Sequence, residues 1–138
     1  MKLKWIGSLA SAVCILAVTG CVSTIDGRHR AGVPFADDRV EGRYELPPIQ
    51  LWTAAKDVLK HQGTLTSEDT LKNVLQANVD ERRIWVMVED LDSKVSRVIV
   101  QARTKSGGPD KDMAAFIDKQ IAVRLAAGNL APATPVHR

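Results

Sequence analysis

Two stretches in the second half of the chain alternate strictly between two kinds of side chain, and they lie close together. Arg83 to Glu89 sets Ile84, Val86 and Val88 against Trp85, Met87 and Glu89. Val95 to Thr104 sets Val98, Val100 and Ala102 against Arg97, Ile99, Gln101 and Arg103. A period of two marks a strand with two unlike faces. The link Asp90 to Lys94 is too short for a crossover, so the pair predicts an antiparallel hairpin around which any fold must be built.

The flanking segments supply partners for it. Glu41 to Leu46 reads as a first strand, with Tyr44 and Leu46 on one face, stopped by Pro47-Pro48. Pro48 suits the first helical turn, where a missing N–H is no loss. The helix it opens runs to about His61, with Leu51, Trp52, Ala55, Val58 and Leu59 on one stripe and Lys56, Asp57 and Lys60 outside. Gly63 is placed as its C-terminal stop. Thr64 to Thr66 begins a short strand. Ser67 to Val79 reads two ways: Leu75, Ala77 and Val79 alternate as in a strand, while Leu71, Val74 and Leu75 fit a helical turn capped by Ser67. Strand is taken for Val74 to Val79. Gly107-Gly108-Pro109 then breaks the chain. Asp110 is a good N-cap, and Asp112 favours the positive end of the next helix. That helix runs to about Ala127 with Met113, Phe116, Ile117, Ile121 and Leu125 inward, and Gly128 closes it. The order β-α-β-β-β-α predicts an α+β domain: a small antiparallel sheet of three to five strands with two helices on one face.

The chain's 138 residues suffice for one domain. Its net charge of +3 does not describe that domain, because Met1 to Gly20 reads as a secretory leader. Lys2 and Lys4 form the basic start, Trp5 to Val18 a mostly apolar run shorter than a membrane span, and small residues follow. Without the leader's two lysines the chain has 17 basic against 16 acidic side chains, which leaves no nucleic-acid footprint. Cys14 leaves with the leader, so Cys21 is the one remaining thiol; an intramolecular disulfide and a Cys-based metal site are both excluded.

The leader ends in Val18-Thr19-Gly20-Cys21, which resembles the bacterial lipobox. The resemblance implies a diacylglyceryl group on the Cys21 thiol, cleavage just before it and acylation of the new amine. Several acyl chains hold a protein on a membrane where one does not. The alternative is an ordinary secreted protein with a free Cys21. Val22 follows the cysteine where an Asp would favour retention in the inner membrane of enteric bacteria, so the expected location is the outer membrane, facing the periplasm. Residues 21–40 carry the lipidated cysteine and read as a flexible tether. Residues 41–128 form the domain, and 129–138, with two prolines, a disordered tail.

From Tyr44 through Leu125 the chain resembles the DUF3568-like bacterial lipoproteins, a family of uncharacterised function. It also has the broad layout of the small domains in outer-membrane assembly lipoproteins of the BamC type. The matching features are Pro48, Trp52, Ala55, Gly63, the hairpin, Arg103, Gly107-Gly108 and the helix from Asp110 to Leu125. These are packing and turn positions, and the resemblance implies no catalytic activity.

Little in the chain is built for chemistry. His29 and His137 fall in the tether and the tail; His61, beside Lys60, suits a helix C-terminus. No nucleophile–His pairing and no metal-ligand spacing occurs. Asp80-Glu81 and Glu89-Asp90-Leu91-Asp92 read as solvated turns, since Leu91 and Lys94 spoil the second as a calcium loop. Gly107-Gly108-Pro109-Asp110 lacks both phosphate-loop patterns, and Asp110 and Asp112 would repel a phosphate. No cofactor and no metal is expected. The candidate functional surface is the outward sheet face of Trp85, Met87, Arg97, Ile99 and Arg103, residue types enriched at interfaces. The function so indicated is a membrane-anchored envelope lipoprotein, not an enzyme, that contacts an envelope protein partner or the cell wall as an interaction or assembly module. The alternative is a periplasmic small-ligand binding module with a pocket between helices and sheet.

Overall fold

The sheet is a four-stranded meander closed by one strand from its N-terminal side. The computed structural model describes residues 20–32 and 38–130. The expected leader, save Gly20, and the tail beyond residue 130 lie outside them. The elements are β1 (Gly20–Ser23), β2 (His29–Gly32), β3 (Arg39–Tyr44), α1 (Pro48–Gln62), β4 (Thr64–Asp69), β5 (Val74–Val79), β6 (Arg82–Asp92), β7 (Val95–Arg103) and α2 (Lys111–Leu130). Strands β3 to β7 form one antiparallel sheet in the order β3-β7-β6-β5-β4, and β1 and β2 form a separate hairpin. The α+β class, the antiparallel sheet and the order of its elements are as expected from the sequence.

Helix α1 carries the chain from one edge of the sheet to the other, and α2 returns over β7 and β3. Both lie on the same face. Leu51, Ala55, Val58 and Leu59 of α1 and Ala114, Ile117 and Ile121 of α2 close on Leu75, Ala77, Ile84, Val86, Val98 and Val100 in one core. The alternation in β6 and β7 is what permits this: every second residue reaches the helices.

Several boundaries move, each for a local reason. The expected five-residue loop after Glu89 shrinks to Ser93-Lys94, because pairing continues to Asp92↔Val95 past a register shift. The short strand at Thr64 extends to Asp69 as an edge paired with β5. The turn Asp80-Glu81 has φ of 46° and 62°, the left-handed pair that a two-residue hairpin turn requires. Gly63 ends α1, but not by a left-handed φ: its backbone is extended, and an added Cβ would lie 2.2 Å from the Asn78 carbonyl oxygen. Close approach of α1's end to β5 is what demands glycine there.

Helix α2 differs most. It starts where expected, with Asp110 Oδ1 accepting from the Met113 N–H at 3.0 Å. It then passes through Gly128 to Leu130, because one interior glycine costs a helix only about 1 kcal/mol. Phe116, expected inward, is 41% exposed, and the buried position is Ala114, two residues earlier. The alanine lets the helix approach the sheet closely.

Candidate functional site

The sheet face turned away from the helices carries the residues singled out by sequence. Across it run Arg39, Gln101, Trp85 and Gln76 in one row and Glu41, Ile99, Met87 and Val74 in the next. Arg43, Arg97 and Glu89 make a third row, and Arg103 stands opposite Arg83. The sequence thus identified the face correctly. Its exposure is where the expectation fails. Trp85 is 0% exposed, Ile99 6% and Arg103 4%. These three are corrected from surface to buried positions; Met87 is half-buried, and Arg97 keeps about a third of its side chain (32%) exposed.

The cover comes from the chain ahead of β3. The turn of the β1–β2 hairpin is held by the Thr24 N–H donating to the Arg28 carbonyl and the Gly27 N–H to the Thr24 carbonyl, each at 2.9 Å, with Thr24 buried. The Ile25 N–H donates to Gln101 Oε1 at 3.0 Å, and Lys72 Nζ donates to the Asp26 carbonyl at 2.9 Å. The segment is gripped again at Asp38, whose side chain is buried. Asp38 Oδ2 accepts from Gln101 Nε2 at 2.8 Å and from Arg103 Nη2 at 2.5 Å. Gln101 is the hinge of this arrangement, since its amide bonds the hairpin with its oxygen and Asp38 with its nitrogen. The residues expected to form a flexible tether are therefore, in residues 24–28 and 38–40, docked against the sheet or part of it. Sequence reading missed Thr24, Ile25, Asp38 and Gln101. The available signal was Trp85 itself: a large aromatic on the polar face of a strand needs a cover.

At the lower end of this face Arg97 donates to Glu89, with Nε to Oε2 at 2.8 Å, and lies 3.4 Å from Glu41. The bond to Glu89 and its charge hold the guanidinium above its usual basicity. These are exposed partners and contribute little to stability.

The other candidates resolve into structural roles. Asp92 accepts from the Ser93 N–H at 2.7 Å within its turn, and Asp90, Leu91 and Asp92 are exposed. Among the described residues no group of three His, Cys, Asp or Glu side chains could hold a metal ion. The Gly107-Gly108 loop closes on Thr104, which exchanges backbone bonds of 2.9 Å with both glycines, while Arg103 Nη1 donates to the Gly107 carbonyl at 3.3 Å. Its N–H groups are turned to the protein's own acceptors. His61 lies in the last turn of α1. Between the helices and the sheet, where a ligand pocket was the alternative expectation, side chains of both layers pack into one core, with an open hollow of about 440 Å³ at its rim lined by Ile49, Trp52, Asn73 and Val88 among others. The larger hollow near α1 is a surface groove of about 540 Å³ between α1 and α2, lined by Asp57, His61, Val123 and Arg124 among others.

Two carboxylates have shifted acidities. Burial alone would raise Asp110, but the Met113 N–H, the Arg82 guanidinium bonded at 2.5 Å and its positive charge outweigh that and hold it below the usual carboxylate value. Asp118 on α2 is raised by burial, against the opposing bond from the Tyr44 hydroxyl at 3.3 Å. Tyr44 is pushed up to about 12 by burial first and then by Asp118, so its phenol remains a donor rather than a nucleophile. No helix among the described residues is long and apolar enough to cross a membrane. Compared with known proteins, the chain matches no family model and no curated relative.

Proposed function

We propose that the chain is a lipoprotein of the bacterial envelope, anchored through lipid on Cys21 in the outer membrane facing the periplasm, whose small α+β domain serves as a non-enzymatic interaction or assembly module. The observation that carries the reading is Val18-Thr19-Gly20-Cys21 at the end of a basic-then-apolar leader. An interaction role is favoured over catalysis because the polar groups gathered on the sheet face are spent on the protein's own segments: Asp38, Gln101 and Arg103 bond one another and the hairpin. Of the face first considered for a partner, Met87 and Arg97 remain accessible.

Replacing Cys21 by Ala tests the anchor. The wild type is expected in the membrane fraction at high salt, with an N-terminal peptide heavier by its acyl groups, and Cys21→Ala in the soluble periplasmic fraction. A variant that still pellets with membranes at high salt would reject the lipid anchor. Photo-reactive residues at position 97, on the sheet face, and at position 123, on α2, then report in cells whether an envelope protein is within reach. Absence of any adduct at both rejects the partner.

A further inference from the structure

We infer that the domain does not swing on a long leash but lies against the bilayer with its hairpin-covered sheet face inward and its helices outward, the partner of that face being a lipid surface with anionic headgroups. This rests on the proposed lipidation of Cys21. Three residues separate Cys21 from Ile25, and Ile25 is already bonded to Gln101 on the sheet. Cys21 to Ser23 of β1 lie within that link and are fixed by pairing with β2, Cys21 opposite Ala31. A link of that length reaches at most about 14 Å even when fully extended. Had the docked chain begun only at the first strand of the main sheet, the reach would have been several times greater.

The direction of the link fixes which side faces the membrane. The hairpin turn bonds to Gln101, on the face opposite both helices, and to Lys72, in the turn between β4 and β5. The chain therefore leaves toward the lipid from the sheet side. Charge on that side agrees. Arg28, Arg39, Arg43 and Lys72 are exposed there; Arg39 lies 4.0 Å from Asp38, which is buried against Arg103, and Glu89 is bonded to Arg97. Glu41, also bonded to Arg97, and Glu45, two residues from Arg43, are exposed acids beside them. Screening in physiological salt cuts such attraction off over about 8 Å. A reach of at most about 14 Å keeps these cations within about two screening lengths of the surface, which a twenty-residue tether would not do.

The test uses the full lipidated chain in vesicles of phosphatidylethanolamine and phosphatidylglycerol that carry a nitroxide on the headgroup. With Cys21 blocked by lipid, one introduced cysteine is the sole free thiol. Ser67→Cys places a fluorophore on the sheet side and Val123→Cys on α2, both at exposed positions. Quenching several-fold stronger at 67 than at 123 is expected, and the contrast should be smaller when phosphatidylglycerol is omitted. Inserting ten Gly and Ser residues between Ser23 and Thr24 should abolish it. Equal quenching at both sites, or stronger quenching at 123, overturns the orientation. Vesicle flotation and the mass of the acylated peptide are read on the same samples: a chain that is not acylated and does not float refutes the anchor itself, which separates that failure from a wrong orientation.

Discussion

At the residue scale the two perturbed carboxylates make opposite contributions to stability. Asp110 has a folded pKa below its ordinary 3.8, so its contribution is present above that value and is lost as pH falls through the lower folded value. Asp118 is raised above 3.8, so its contribution is present at low pH and is lost as pH climbs through the raised value. Urea unfolding across pH 2–7 should therefore show Asp110→Asn flattening the acid side of the profile and Asp118→Asn flattening the rise in instability above pH 4. Asp110→Ala also removes the α2 cap, at a cost of about 1 kcal/mol at neutral pH. Gly63 makes a steric demand instead. Gly63→Ala forces a methyl group into the Asn78 carbonyl, and a loss of about 1–3 kcal/mol is expected from the same measurement.

At the element scale the hairpin depends on polar contacts, and one buried pair carries much of the load. Asp38→Ala would leave Arg103 charged and buried, with its Nε already lacking a partner among the described residues. A loss of about 3–5 kcal/mol follows from such an orphaned charge. Gln101→Ala acts more locally. It keeps the Asp38–Arg103 pair but removes the acceptor for Ile25, so hydrogen exchange should speed up sharply at the Ile25 amide while amides of β5 and β6 stay protected. This scale is also where legibility from sequence divides. Strands β5, β6 and β7 were readable because their alternating residues face a helix layer on one side only. Helix α1 was readable from its stripe and its prolines. The cover was not, because Thr24, Asp38 and Gln101 are polar residues that gain burial only through contacts with residues far away in sequence. The inward face of α2 was misjudged at Phe116 because alanines dilute its periodicity: apolar residues extend beyond the inward stripe, and size rather than hydrophobicity chose Ala114 for the tightest position.

At the scale of the whole molecule there are two apolar layers of unequal standing. The core beneath the helices is closed by α1, α2 and the main sheet, and among the described residues none comes from the segment around Cys21. The second layer, Val74, Trp85 and Ile99, lies on the opposite face, where its cover includes the segment that follows Cys21. A chain lacking residues 1–37 should keep its helices by circular dichroism, yet show red-shifted Trp85 emission in a Trp52→Phe background and self-associate through the bared face. Unchanged emission and a monomeric size would mean that Trp85 is shielded by the sheet alone.

The order of the strands has a consequence for the time course of folding. Strand β3 pairs only with β7, about sixty residues further along, and the hairpin ahead of it leans on Gln101 in that same last strand. In the export proposed above, the amino end brings out Cys21 and the first sheet strand long before anything exists for them to join. The meander β4 to β7 can assemble from neighbours as it emerges. The end that carries Cys21 is thus the first to arrive and the last to find its place.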